Sequence, residues 1–136
     1  MRLYNQFVEE FTDQEIPFMQ HKQELYAPGE VPAIDETLVY TTTRYGRVDR
    51  KGFHPSIAFL DVLSEYTKRK AVVTEKAAWL FVCGRNILKE GIVDLAVDEG
   101  QVLVTNQRGE VLGYGKITGA GITNKLDRGD FLRRER

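Results

Sequence analysis

Arg85, Asn86 and Lys89 share one short stretch of the chain and offer a planar guanidinium fork, an amide and an ammonium. Donors of these types suit phosphate oxygens and base edges. Arg and Lys contacts to phosphate supply most of a nucleic-acid binder's affinity, while base-edge and stacking contacts supply preference. Lys116, Lys125, Arg128, Arg133 and Arg134 add cations toward the C-terminus. Along an ideal strand, Arg85 and Ile87 point one way and Asn86 and Leu88 the other, so a bulge or turn is needed before all the donors can face one ligand. The competing reading of these cations is ordinary solvated surface.

Other reactive residue types form no comparable set. Cys83 follows Phe81 and Val82 in an apolar run and has no general base beside it, which predicts a buried core thiol and not a nucleophile. His54, next to Pro55, reads as a capping or packing residue. Asp94, Asp98 and Glu99 lack the spacing and central glycine of a calcium loop and read as solvated. The glycine-rich GYGKITGAG lacks the GK[ST] ending and following helix of a phosphate loop. No nucleophile, base and oxyanion donors assemble, so a non-catalytic protein without metal or cofactor is expected.

The 136 residues, 42% hydrophobic and 29% charged, have the balance of a folded chain. The single cysteine excludes an internal disulfide framework. No apolar run approaches the roughly 18 residues of a membrane helix, and acids interrupt the N-terminal segment, so a cytoplasmic protein is expected. The net charge of −1 hides an asymmetry: residues 1–67 hold 6 Lys and Arg against 11 Asp and Glu, whereas residues 68–136 hold 13 against 9. Charge alone weighs equally for a nucleic-acid segment and for chance scatter.

These side chains need elements to position them. Leu3, Phe7 and Phe11 recur every fourth residue, which predicts an amphipathic helix over 2–12. Residues 16–19 and 24–27 read as a hairpin, and 37–44 (TLVYTTTR) as a strand. Tyr45-Gly46-Arg47 reads as a bend or bulge leading into the charged connection DRKG. Pro55 suits a first helical turn, giving a helix over 55–66, and the basic TKRK reads as a solvated boundary segment. Residues 71–74 predict a strand, Thr74 a cap, and 75–83 a largely buried helix stopped by Gly84. Strands follow at 85–88, 95–97, 101–105 and 111–117, with a tight turn at 91–93 and a hairpin turn at Arg108-Gly109. Gly113, Gly115, Gly119 and Gly121 mark bulges or close backbone approach. The tail KLDRGDFLRRER can add a last strand. Short strands with one helix after the first suggest a small, partly open barrel.

The runs EKAAWLFVCGRNILKEGIV and GQVLVTNQRGEVLGYGKI resemble a PUA domain, the module named after pseudouridine synthases and archaeosine transglycosylases. From about Thr37 to the end, and most clearly in TRYGRVDRKGFHPSIAFLDVLSEY, CGRNILK, VLGYG and GDFLRRE, the chain resembles the Nip-seven family of large-subunit ribosome assembly factors. Residues 1–36 match only loosely. KGFHPSIAF and the segment after it also resemble the RNA-binding tail of NOL/NOP/Sun RNA cytosine-5 methyltransferases, whose catalytic domain and cysteines this sequence lacks.

The resemblance implies an α+β protein in two parts: an N-terminal α+β region over 1–69 and a PUA-type pseudo-barrel over 70–136 that binds RNA. It implies Lys76, Arg85, Asn86 and Lys89 on one side of the RNA, with Lys116 and the GDFLRR end on the other. The expected function is non-catalytic RNA binding in large-subunit rRNA processing, in an archaeal cytoplasm. Expected partners are rRNA or a tRNA-like RNA, single-stranded or structured, and pre-ribosomal proteins. The alternatives are an accessory subunit that targets an RNA methyltransferase in trans, and a protein–protein adaptor without RNA.

Overall fold

Two hydroxyl side chains set the starts of two helices. Ser56 Oγ accepts the Phe59 N–H at 3.1 Å, and Thr74 Oγ1 accepts the Ala77 N–H at 3.1 Å, each from an extended residue just before the helix. Each bond satisfies a donor that the first helical turn leaves without a partner. The computed structural model describes residues 2–29 and 43–130. The chain divides into two units, Met1–Tyr66 and Thr67–Arg136. Among the described residues, no helix is long and apolar enough to cross a membrane.

In the first unit, helix α1 (Arg2–Glu9) precedes strands β1 (Met19–His21), β2 (Glu24–Tyr26), β3 (Arg44–Asp49) and β4 (Gly52–Pro55), and helix α2 (Ile57–Leu63) follows. The strands pair antiparallel in the order β1-β2-β3-β4. Tyr4, Val8 and Phe11 bury the inner stripe of the first helical segment. The Tyr4 ring lies 5.1 Å from Phe53 and 5.6 Å from Phe59, and its hydroxyl donates to Ile16 O at 2.8 Å. Burial of this kind stabilises by about 1.5–3 kcal/mol per large side chain, and the hydroxyl keeps a partner inside it.

Several expectations change in this unit. Of the bend or bulge expected at Tyr45-Gly46-Arg47, the structure has the bulge: the segment lies within β3, and Tyr45 is the extra residue where the register against β2 shifts between Leu25 and Tyr26, while Gly46 and Arg47 pair with both β2 and β4. A side chain at position 46 would meet the His54 carbonyl, so the glycine permits close strand approach and does not break the strand. DRKG is the hairpin turn between β3 and β4. Pro55 ends β4, and Ser56 starts the helix one residue later. His54 neither caps nor packs: it is exposed on β4, with Nε2 2.9 Å from Asp49 Oδ1. The first hairpin strand is Met19–His21, three residues beyond the expected start; Ile16 is buried. Of the strand expected over 37–44, residues 37–42 lie outside the described residues.

The second unit begins with β5 (Lys70–Val73), then α3 (Glu75–Val82), β6 (Ile87–Leu88), a 3-10 turn (Lys89–Gly91), β7 (Ile92–Leu95), β8 (Gln101–Thr105), β9 (Val111–Thr118) and β10 (Gly121–Asp127). The sheet order is β6-β10-β9-β8-β5-β7, with β5 and β8 parallel and the other neighbours antiparallel. Ala77 and Phe81 of α3 pack with Ala71, Val73, Ile87, Val102, Val104 and Ile122 into the core of this curled sheet.

Here too the structure corrects particular residues. TKRK is not a solvated connection: Thr67 is buried, Arg69 Nε donates to Gln101 O at 2.9 Å, and Lys70 opens β5. Residues 91–93 are no tight turn: Gly91 ends the 3-10 turn and Ile92 opens β7, so the strand expected over 95–97 lies at Ile92–Leu95. The helix is buried on one side only, leaving Trp79, Leu80 and Cys83 exposed. Cys83 is therefore no core thiol: it is the C-cap, about half a helical turn around from Phe81. Gly113, Gly115 and Gly121 stand where a neighbouring strand's backbone leaves no room for a side chain, but Gly119 sits in the open β9–β10 turn. Of the tail, 125–127 complete β10, and 131–136 lie outside the described residues.

Candidate nucleic-acid interface

Helix α3 ends by a local rule that aims the next side chains. Gly84, at φ 96°, occupies the left-handed region that side chains disfavour. The Arg85 N–H donates to Leu80 O at 3.0 Å and the Gly84 N–H to Phe81 O at 2.9 Å. These two bonds make a Schellman motif, which reverses the chain sharply. Arg85 and Asn86 thus leave the helix in a turn, and only Ile87 and Leu88 pair as strand with β10. The turn supplies the irregularity that the donors needed to share a side.

Asn124, which the sequence reading passed over, holds this turn against β10. Its Nδ2 donates to Phe81 O at 2.9 Å, to Arg85 O at 3.3 Å and to Asp127 Oδ2 at 3.0 Å, while its backbone N–H donates to Asn86 Oδ1 at 2.9 Å. Asp127 is buried and its other oxygen accepts the Gly129 N–H at 2.8 Å. Half of the Asn86 amide is therefore committed to the fold.

Beside the turn lies an open groove of about 450 Å³, lined by Lys76, Leu80, Arg85, Asn86, Leu88 and Glu90 among others. Leu80 and Leu88 are 37% and 58% exposed, apolar surface held at the groove without cover. Gly91 closes its end: the Thr74 N–H donates to Gly91 O at 2.9 Å, and a side chain at 91 would come within 2.8 Å of Ala77 Cβ. Cations at the rim and apolar walls between them can hold an unpaired nucleotide, phosphate outside and base within.

The remaining predicted residues do not all join. Lys89 is exposed on the adjoining 3-10 turn. Lys116 is paired with Thr123, one position off the Ile117–Ile122 pair that faces the core, so it points to the outer face of the sheet, away from α3. Lys125 is the extra residue of a β-bulge between Asn124 and Leu126 and is exposed. Arg128 is tied into the fold: its Nε donates to Val111 O and its backbone N–H to Leu112 O at 2.9 Å. Arg133 and Arg134 lie outside the described residues. Among the described residues, no cluster of His, Cys, Asp and Glu could hold a metal ion.

The curled sheet with a single helix across its core and a groove at that helix's end defines a PUA-type module within an α+β chain. Residues 69–136 match the family model described as UPF0113 PUA domain, and the chain belongs to that family. PUA domains are in general RNA-binding modules and not catalysts. Among solved structures, a conserved PUA domain protein from Thermoplasma acidophilum is 14% identical with a TM-score of 0.58, over 98% of this chain and 91% of its own. A PUA domain from Aeropyrum pernix K1, solved as a tartrate complex, is 13% identical with a TM-score of 0.61, over 95% and 83%. At that identity these likenesses show the fold. No curated protein matches the chain.

Proposed function

We propose that the chain is a non-catalytic RNA-binding protein and that the groove at the end of α3 captures an unpaired RNA segment. The observation that carries this reading is the convergence of Lys76, Arg85 and Asn86 on one groove with exposed Leu80 and Leu88. Lys76 and Arg85 engage phosphates, the free half of the Asn86 amide reads a base edge, and the leucines cover the base. Lys89 and Lys125 extend the positive surface; Lys116, on the outer face, adds long-range attraction only. Arg133 and Arg134 belong to the same proposal through their place in the sequence.

At the finer level, we assign the protein to large-subunit rRNA processing in an archaeal cytoplasm, with pre-ribosomal proteins as partners. What supports this is the Nip-seven resemblance running from Thr37 into the second unit. Anisotropy titration of a labelled single-stranded RNA tests the binding. The double variant Lys76→Glu, Arg85→Glu is expected to abolish most of the affinity, whereas no measurable binding by the natural chain at low salt would refute the reading. Crosslinking and sequencing of the RNA bound in the native cell tests the assignment to rRNA.

A further inference from the structure

Helix α3 is flanked by a second groove. At about 100° per residue, Glu75, Lys76, Trp79, Leu80 and Cys83 form one continuous exposed arc, and Ala77 and Phe81 face the core. On one side of the arc, Lys76 and Leu80 border the groove already described. On the other, Glu75, Trp79 and Val82 border an opening of about 480 Å³ whose far wall is the β8–β9 turn, with Gln107 and Arg108.

Three features of this second opening point to one occupant. Trp79 is 66% exposed, an indole face that the fold leaves without cover. The turn is rigid: Asn106 Oδ1 accepts the N–H groups of Arg108 and Glu110, each at 3.0 Å, and Asn106 Nδ2 donates to Glu110 Oε1 at 2.8 Å. That geometry consumes the Asn106 amide and leaves the exposed Gln107 amide with no hydrogen-bond partner among the described residues. Arg108 pairs with Glu110 Oε1 at 3.0 Å through one nitrogen, and its side chain, 82% exposed, keeps guanidinium charge at the wall of the opening, across from Glu75. An uncovered aromatic face, a free amide and guanidinium charge are the parts that hold a base by its face, its edge and its phosphate.

We propose that Trp79 is a base-stacking platform and that single-stranded RNA crosses the exposed arc of α3 from the first groove to the second, where Gln107 contacts the edge of the stacked base. The inference rests on the RNA-binding reading above and extends its site by at least one nucleotide. The two grooves lie on either side of the exposed arc of one helix, so a strand whose phosphates sit on Lys76 and Arg85 and which crosses that arc passes Trp79 next.

The chain's single tryptophan makes this testable without a label on the protein. Anisotropy of an end-labelled single-stranded RNA and the emission of Trp79 are read in one titration of the full chain. Emission should be quenched in proportion to the anisotropy rise and saturate with it. Trp79→Ala should weaken binding by about five- to a hundredfold, Trp79→Phe should recover most of that loss, and Gln107→Ala should alter the ranking among homopolymer RNAs. Urea melts of the variants should match the natural chain, since the ring is exposed. Saturating anisotropy with unchanged emission, or Trp79→Ala binding as tightly as the natural chain, would overturn the proposal while leaving RNA binding intact. Absence of any anisotropy rise would instead remove the RNA-binding reading itself. Self-association that Trp79→Ala abolishes, with RNA affinity untouched, would make this face a protein interface and likewise overturn it.

Discussion

Asn124 donates its side-chain amide to Phe81 O and Arg85 O, partners 43 and 39 residues away in sequence, and to the buried Asp127. Replacing it with alanine leaves two carbonyls at the helix end without that donor, at a cost of about 1–3 kcal/mol, to be read as a lower urea midpoint. Asn124→Asp should cost more, because it sets a second carboxylate against Asp127 and offers the carbonyls no donor. Both changes should weaken RNA binding beyond their effect on stability, since Arg85 loses its anchor. Asp49 gives a residue-scale test by pH. The His54 side-chain bond, and then the Lys51 N–H, hold its carboxyl below the ordinary Asp value of 3.8. A depressed folded value means the contribution is present above the unfolded value and is lost as pH falls through the folded one. Asp49→Asn should therefore narrow the gap in melting temperature between neutral pH and pH values below the ordinary carboxylate range. Thr74 and Gly84 were legible from sequence because their bonds close within a few residues. Asn124 was not, because nothing local marks a partner across the sheet. Cys83 was misplaced because AAWLFVC is apolar all round and does not show which face turns inward.

At the scale of elements, the groove depends on β6, which is only two residues long and holds its place by pairing with β10. Gly121, at φ 142° and opposite Leu88, permits that pairing: a side chain there would run into Ile87 O. Gly121→Ala should strain β10 and push β6 outward, carrying Leu88 from the groove. The expected readout is faster amide exchange at Leu88 and Ile122 together with weaker RNA binding, while exchange across the β8–β9 pairing stays slow. Thr74→Ala should cost about 1 kcal/mol through the lost cap, visible in the same urea titration. Most strands of the second unit were legible because β-branched runs such as QVLVT are bounded by turn residues. At Tyr45-Gly46-Arg47 the bulge was legible from its glycine, but a bend stayed open beside it, because a glycine that admits a neighbouring backbone and one that bends the chain look alike in sequence. The 3-10 turn at Lys89–Gly91 was missed for a related reason: its hydrogen bonds are set by the docking of Gly91 on Thr74, which no local pattern announces.

For the whole molecule, the charge imbalance and the two-unit division set a last test. Residues 1–67 carry 6 Lys and Arg against 11 Asp and Glu, and residues 68–136 carry 13 against 9. Toward RNA, the first half repels at long range and the second attracts, and salt screens both within about 10 Å at 0.1 M. The core of the second unit closes with its own residues, from Ala71 to Ile122, and we propose that residues 67–136 fold as an independent RNA-binding domain. Expressed alone, this segment should unfold cooperatively in urea, with the modest stability of a domain so small. At low salt it should bind single-stranded RNA at least as tightly as the full chain, because the acidic half is gone. The difference should shrink as salt rises, since only the repulsion has been removed and no contact. For both proteins the logarithm of affinity should fall with the logarithm of salt by about 0.7 for each phosphate neutralised, and Lys76→Glu with Arg85→Glu should flatten that slope by about twice this amount. A segment that binds far more weakly than the full chain at every salt concentration would mean that the first unit touches the RNA directly. The cations of its β3–β4 hairpin, Arg47, Arg50 and Lys51, would then be the first to reverse.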